Sequence, residues 1–372
     1  MPDAETILRD LLHKAFGGAD VHVKAITSGG ANYTSALYTV TVPQNGQSLK
    51  LFGKVAIIGE KMRAVMNAEN LYSTEQYIYT KIQKVCFPKF YGCTAELGSE
   101  TILLEDLTIR GFGAYDRLQS VDWEHAASSV TAMARFHALS FAYKNEYPED
   151  YEEATKRLMH KYDAPEDESS LKVWEKIIGG ALSVVDDEEL LRDKLARLLT
   201  TENASEEFAK YKMPLSVVVL THGDYRPSNL LFRRVGGNVE TIAVDYQTVH
   251  AGCPITDLLY FIFCGTDEQF RAQHYEQLLD HYYTELTLAL RRLDIDVNDV
   301  YPRETFDSEI KEMLPNTLRV CVVILPIVMV DEAAAPQVAG DADIGSFALK
   351  PNELFAQRFN GILKDFVKWG VI

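Results

Sequence analysis

Apolar positions recur every second residue along much of the first hundred residues, and every third or fourth along most of the remainder. Val21, Val23 and Ala25 alternate with polar neighbours, and Tyr38, Val40 and Val42 do the same. A period of two predicts half-buried strands. Pro43-Gln44-Asn45-Gly46-Gln47 then reads as a turn, with Asn45-Gly46 tolerating positive φ, and a third strand is expected from about Ser48 to Val55. Residues 60–84 predict a helix. Thr101–Leu104 predicts a short buried strand, followed directly by Glu105-Asp106-Leu107. Ahead of all these, Ile7, Leu8, Leu11, Leu12 and Phe16 share one helical face, while Asp3, Glu5, Arg9, Asp10 and Lys14 are interspersed. That pattern is an amphipathic helix and lacks the apolar core of a signal peptide.

Beyond residue 107 the helical period dominates. Trp123, Ala127, Val130, Ala134, His137 and Phe141 form one stripe, with Ser120 or Asp122 as the expected N-cap. Short strands interrupt at Val217–Leu220, Leu230–Phe232 and Val239–Asp245, the last two joined by a turn at Gly236-Gly237-Asn238. Helices resume at Asp257. Residues 331–345 (DEAAAPQVAGDADIG) read as an exposed loop. The longest apolar run, Val320–Val330, has 11 residues and contains Pro326. It is shorter than the roughly 20 residues a membrane span needs, so a buried helix is expected. No internal repeat is visible. The pattern predicts an α+β chain: a small β-rich lobe over residues 1–107 and a larger helical lobe over 108–372.

Composition narrows the partners. With 372 residues, 47% of them hydrophobic, the chain can bury two cores. Its 37 basic and 54 acidic residues give 37 − 54 = −17. Such a charge repels nucleic-acid backbones and anionic membrane surfaces. No nucleic-acid, membrane or protein partner is expected. The cysteines Cys86, Cys93, Cys253, Cys264 and Cys321 are odd in number and form no CxxC pair. Neither a disulfide framework nor a zinc site is suggested, and a reducing, cytoplasmic setting is expected.

The chemistry concentrates in Thr221-His222-Gly223-Asp224-Tyr225-Arg226-Pro227-Ser228-Asn229, followed sixteen residues later by Asp245-Tyr246-Gln247. Phosphoryl transfer needs charge neutralised and a nucleophile aimed, with little covalent help from the protein. One carboxylate, Asp224, sits on a loop after a buried strand and is placed to orient an attacking hydroxyl. Asn229 opens the next strand and Asp245 ends its hairpin partner, so the hairpin brings an amide oxygen and a carboxylate together. Magnesium takes such hard oxygen ligands and keeps its waters, so two side chains suffice. His222 is read as a scaffold for the loop. His, Asp and Asn also gather in turns for capping reasons alone, but the flanking strands and the hairpin spacing weigh against that reading. A metal-hydrolase site lacks further His or Cys ligands.

HGDxxxxN followed by a strand-ending Asp resembles the signature of the aminoglycoside phosphotransferase and choline kinase group, within the protein-kinase-like fold. A fuller match is to the ecdysteroid-kinase-like, or CHK-kinase-like, family. It rests on GGANYTSALYTV, the LFGK strand, Glu75–Tyr79, ILLEDL at 102–107, ARFHALSFA at 134–142, the loop, VDYQ, CPITDLLYF at 253–261 and RFNGILKDFVKWGVI. The resemblance implies a bilobal kinase that uses ATP and magnesium to phosphorylate a hydroxyl group. It implies that Lys54 contacts the α/β-phosphates and that Glu75 is its helical partner. Gly29 and Gly30 would lie in a phosphate-cradling loop, Glu105 and Leu107 in the hinge at adenine, and Arg226 near the γ-phosphate. Asp257 reads as an N-cap that also braces the catalytic loop. The loop departs from the family in carrying Tyr225, Arg226, Pro227 and Ser228 where Trp and a second Asn are common, which leaves the acceptor open.

The family favours a steroid-like or other small alcohol, for which Tyr246, Tyr260, Phe261 and Phe263 are candidate pocket residues. The acids between Glu146 and Glu168 would suit a cationic acceptor of the choline or aminoglycoside type, though a solvated helix face and loop is the simpler reading of them. A protein kinase is disfavoured because DFG and APE segments are missing. A catalytically dead binding module is disfavoured by the presence of Lys54, Asp224, Asn229 and Asp245.

Overall fold

The computed structural model describes residues 3–17, 20–44, 46–82, 88–159, 168–186, 189–200 and 209–372. The chain forms two compact units. One comprises residues 1–113, 244–247 and 330–347; the other comprises 114–243, 248–329 and 348–372.

The first unit is built on a five-stranded antiparallel sheet. Its strands are β1 (His22–Ile26), β2 (Ser35–Gln44), β3 (Gln47–Ala56), β4 (Phe90–Thr94) and β5 (Thr101–Glu105), in the order β1-β2-β3-β5-β4. Helix α1 (Ala4–Phe16) is capped by Asp3, which accepts from the Thr6 amide at 2.9 Å, and is ended by Gly17 in the left-handed region. Its buried face, Ile7, Leu8, Leu11 and Leu12, packs on Tyr38, Val40, Val42, Leu51 and Val55. These residues stand on one side of the pleat, which leaves Lys54 on the other. The expected turn falls partly on Asn45, which lies outside the described residues.

The helix expected over 60–84 is two helices, α2 (Glu60–Val65) and α3 (Ala68–Lys81). Asn67 stands at φ 49° between them and breaks the rod; Asn tolerates that conformation better than most residues. The segment 331–345 also differs from a free loop. Val338 is buried against Ala56, Ile58 and Met62, and its carbonyl accepts the Gly59 N–H at 2.7 Å. Packing, not chain order, therefore sets the unit boundary. The first unit runs six residues past 107 and recruits two later segments.

The second unit is mostly helical: α4 (Trp123–Glu146), α5 (Pro148–Leu158), α6 (Glu168–Ser183), α7 (Glu189–Leu199), α8 (Pro254–Gly265), α9 (Glu268–Arg291), α10 (Val297–Val300), α11 (Arg303–Val328) and α12 (Glu353–Lys368). Asp122, rather than Ser120, caps α4 through the His125 amide. Every residue of α8 is buried, as a helix apolar on all sides requires. Strands β6 (Val219–Thr221) and β9 (His250–Gly252) pair antiparallel, and β7 (Leu230–Val235) with β8 (Asn238–Ala243) form the hairpin. Gly236 and Gly237 take φ 57° and 87° at its tip.

Among the described residues no helix is long and apolar enough to cross a membrane; the run 320–330 lies within and just after α11. Cys93, Cys253, Cys264 and Cys321 are free thiols, and Cys86 lies outside the described residues.

Candidate functional site

In the first unit, β3 pairs Lys54 with Leu37 on one side and Ile102 on the other, so the strand register fixes where the lysine stem starts. The Lys54 ammonium is buried. It donates to Glu75 Oε2 on α3 at 2.9 Å, to Asp245 Oδ1 at 2.5 Å and to Gln247 Oε1 at 3.4 Å. Burial alone would push its pKa down; the Asp245 and Glu75 carboxylates overcome this and hold it above the usual lysine range. Burial pushes the Glu75 carboxyl up, and an ammonium shared with Asp245 offsets that only in part. Two carboxylates thus face one ammonium. Asp245 lies two residues past the end of β8, not on the strand as the pattern predicted, because its φ of 69° is left-handed and cannot continue a ladder. A non-glycine residue held in that region is the kind of strain found at ligand sites.

Gly29 and Gly30 lie between β1 and β2 at φ 61° and 79°. Ser28 Oγ accepts from the Asn32 amide and donates to the Asn32 carbonyl, while the Gly29 amide donates to Thr27 Oγ1 at 3.1 Å. That glycine N–H is therefore engaged within the loop. At the far end of β5, the Glu105 amide is bonded to the Lys89 carbonyl. Its carboxylate accepts from the Lys89 amide at 3.3 Å and the Arg110 guanidinium at 3.5 Å. Leu107 is buried and opens a short 3₁₀ turn capped by Asp106.

In the second unit, the catalytic-type loop follows β6. Gly223 takes φ 79°, and a Cβ there would overlap the Thr248 carbonyl, so only glycine fits. Asp257 holds the loop from below: its two oxygens accept the amides of His222 and Gly223 at 2.6 and 2.9 Å. Asp257 is not the N-cap expected of it. The cap is Cys253, since Pro254 at the first helical position starts α8 earlier and needs no hydrogen-bond partner for its nitrogen. Asp257 is free to brace the loop for that reason, as the sequence also suggested. His137 Nε2 meets Asp257 Oδ2 at 3.1 Å, and His137 Nδ1 meets the Tyr282 hydroxyl at 2.8 Å. Burial would raise the Asp257 pKa; its hydrogen bonds and the neighbouring histidines outweigh that and hold it below the ordinary value.

Asp224 is the hub above this brace. Arg226 Nε donates to its two oxygens at 2.9 and 3.1 Å, Asn229 Nδ2 to Oδ2 at 2.8 Å, and the Tyr260 hydroxyl to Oδ1 at 2.6 Å. Arg226 here is an ion-pair partner of Asp224. His222 lies beneath: its Nδ1 accepts weakly from the Asp224 amide at 3.4 Å, and its carbonyl accepts from Thr248. The Leu230↔Ala243 pair closes the β7–β8 hairpin directly after Asn229. Because the Asn229 nitrogen is committed to Asp224, its amide oxygen is the atom left for a cation. Asp245 likewise has a second carboxylate oxygen beyond the one on Lys54. These are hard oxygen donors and fit magnesium. Among the described residues no group of three or more His, Cys, Asp or Glu could hold a metal by itself.

The sequence reading left three participants without a role and gave a fourth, Tyr260, only as a candidate pocket residue. Gln247 was visible only as part of VDYQ, and His137 only as one polar member of an apolar stripe. Tyr260 stands three residues after Asp257, so a helix puts both on one side; that spacing was the available signal. Tyr282 gave none.

One unit thus holds a shielded ammonium between two carboxylates, and the other a turn-borne aspartate gripped by three donors. Comparison with known proteins identifies the group: the chain belongs to the ecdysteroid kinase-like family, whose model matches residues 29–295. Among solved structures it is similar to one titled as a microcompartment-associated aminopropanol kinase, at 10% identity and a TM-score of 0.44, over 96% of this chain and 97% of that one. No curated protein matches the sequence.

Proposed function

We propose that the chain transfers the γ-phosphoryl group of ATP to a hydroxyl of a steroid-like or other small, uncharged alcohol. Asp224 orients the acceptor hydroxyl and takes up its proton as the new oxygen–phosphorus bond forms and the bond from the γ-phosphorus to the bridging oxygen breaks, with ADP leaving. Lys54, held by Glu75, binds the α/β-phosphates. Asn229 and Asp245 hold magnesium, which when bound supplies the positive charge that neutralises the phosphates. Gly29, Gly30, Glu105 and Leu107 border the nucleotide, the last two at adenine. His222 and Arg226 shape the loop, Arg226 by keeping the Asp224 carboxylate in one orientation.

The observation that supports this reading most is the excess of negative charge at Lys54: two carboxylates on one buried ammonium favour a further cation, as the magnesium ion that accompanies the nucleotide would supply. Against a cationic acceptor, Glu149, Asp150, Glu152 and Glu153 are exposed on α5, whose buried residues are Tyr151, Ala154, Thr155 and Leu158. Glu152 is paired to Lys156. That is a solvated helix face. Asp163, Glu166 and Asp167 lie outside the described residues.

The test is magnesium-dependent ATP turnover against steroid alcohols, choline and aminoglycosides, read by the mass of one added phosphoryl group. Phosphorylation of a steroid alcohol is expected. Phosphorylation of choline or an aminoglycoside alone would overturn the acceptor assignment, and no product on any acceptor would overturn the reading as a whole.

A further inference from the structure

The loop that carries Gly29 and Gly30 is held from outside itself. Thr27, at its start, donates its hydroxyl hydrogen to the carboxylate of Glu332, 305 residues away in sequence. The same hydroxyl oxygen accepts the Gly29 amide at 3.1 Å. A carboxylate, a hydroxyl and a glycine N–H therefore form one chain of hydrogen bonds. Each bond in such a chain polarises the next, and a charged end adds to this, so Glu332 makes Thr27 a better acceptor for Gly29.

Glu332 is itself fixed by the segment that bears it. The Ala334 amide closes a short turn on the Asp331 carbonyl at 3.0 Å. Beyond that turn Pro336 and Val338 are buried, and the Val338 carbonyl accepts the Gly59 amide at 2.7 Å. Gly59 and Gly340 approach so closely that a Cβ on Gly59 would overlap the Gly340 carbonyl. The Phe347 ring meets Tyr33 edge-on, with centroids 6.0 Å apart. The segment and the loop both belong to the first unit. Close packing nevertheless stops short of the loop. A cavity of about 290 Å³ lies between the two, with Thr27, Asn32, Tyr33, Glu332, Pro336 and Val338 in its wall. A Cβ on Gly29 would meet nothing within 4 Å. Where no side chain presses on the backbone, hydrogen bonds set its position.

Those bonds leave one donor over. Ala31 donates to the Ser28 carbonyl at 3.2 Å, Asn32 to Ser28 Oγ at 2.8 Å and Gly29 to Thr27. Among the described residues the Gly30 amide has no hydrogen-bond partner. An uncommitted amide in a turn of this kind is a ready partner for a phosphate oxygen.

We propose that Glu332 is a positioning residue for nucleotide binding. Acting through Thr27, it keeps the Gly29 amide inside the loop and so fixes the loop in the shape that offers the Gly30 amide to the phosphates. The inference rests on reading Gly29 and Gly30 as the nucleotide loop.

The experiment reads Mg-ATP affinity by calorimetry and, without nucleotide, the exchange rate of the Gly29 amide by NMR. The proteins are the wild type, Glu332→Ala, Glu332→Gln, Thr27→Val, Thr27→Ser and the double variant of Thr27→Val with Glu332→Ala. Circular dichroism checks that each is folded. Glu332→Ala and Thr27→Val should each speed Gly29 exchange and weaken Mg-ATP binding by about fivefold to tenfold, the weight of one hydrogen bond at an exposed carboxylate. Glu332→Gln keeps an acceptor and Thr27→Ser keeps a hydroxyl, so each should restore most of both. The double variant should bind no more weakly than either single variant, because both remove the same chain of bonds. Mg-ATP binding that is unchanged or tighter in Glu332→Ala, or losses that add in the double variant, would overturn the proposal and leave the nucleotide reading standing. A wild type that bound no Mg-ATP would sink both.

Discussion

Two polar groups of this protein are built on different charge balances. Around Lys54, one ammonium faces Glu75 and Asp245, and the balance is negative. Around Asp224, one carboxylate meets one guanidinium, that of Arg226, and its oxygens also accept from Asn229 and Tyr260, so the pair is matched. The first arrangement leaves a negative charge over; the second leaves none. Different elements build the two: a strand, a helix and a left-handed turn in one case, a glycine-dependent loop braced from a buried helix in the other. The comparison shows that a site's requirement can be read from the charge it leaves unmatched.

The sharpest test of the contrast is to neutralise each carboxylate in turn. Asp245→Asn should lose both magnesium-dependent nucleotide binding and turnover. Asp224→Asn should bind Mg-ATP near the wild-type level, yet lose turnover by about 10²–10⁴-fold, the usual weight of a positioned general base. Binding measured with magnesium and with a chelator, beside turnover on the steroid alcohol, separates the two. Full turnover by Asp224→Asn would reduce that residue to a turn former.

The next effect is on stability. The family resemblance gives Lys54 as a phosphate contact, a role that by itself would let it be replaced without unfolding the protein. Its burial between two carboxylates changes that expectation. Lys54→Met should cost about 3–5 kcal/mol, because it leaves Glu75 buried without its counter-charge. Chemical denaturation checks the loss. Adding Glu75→Gln should recover part of it, and if the double variant were no more stable than Lys54→Met, the ion pair would not be the cause.

The second group has its own weakness, toward acid. Burial, with the Lys212 charge behind it, pushes His250 down to about 4. The folded protein therefore keeps this imidazole neutral where the unfolded chain protonates it. The contribution to stability is present above the ordinary value near 6.5 and is lost as pH falls from there toward 4. At a separation of two to three pKa units it is worth about 3 kcal/mol. Urea unfolding followed from pH 7 to pH 4.5 should show the decline, and His250→Gln should flatten it. An unchanged slope in that variant would assign the decline to the carboxylates.

The smallest expected effect concerns the brace. His137→Gln should leave Mg-ATP binding unchanged and lower turnover by about tenfold or less, since His137 acts on Asp224 only through Asp257 and the loop backbone. A loss as large as that of Asp224→Asn would show that the brace decides whether the loop forms at all.

Much of this was legible before the fold was known. HGDYRPSN, the Gly236-Gly237 turn and the alternation in β2 and β3 are local signals, and local signals depend on neighbours a few residues apart. The family resemblance singled out Lys54 and Glu75 as partners, and the two meet at 2.9 Å. What failed also failed for local reasons. Pro254 started α8 three residues before Asp257, Asn67 broke one expected helix into two, and the left-handed turn at Asp245 ended β8 early. Each is a backbone preference that apolar periodicity does not record.

By itself, then, the amino-acid sequence determined the elements, the hairpin and the chemical types at the site, because those follow from side-chain period and turn chemistry. Only the tertiary structure decided which charges meet. That Lys54 is shared by Glu75 and Asp245, that Tyr260 donates to Asp224 and that 331–345 is anchored through Val338 are all contacts across long stretches of chain. A residue's charge is a property of its type, but whether that charge is satisfied depends on what folding brings within a few ångströms of it, and on how much water is excluded there.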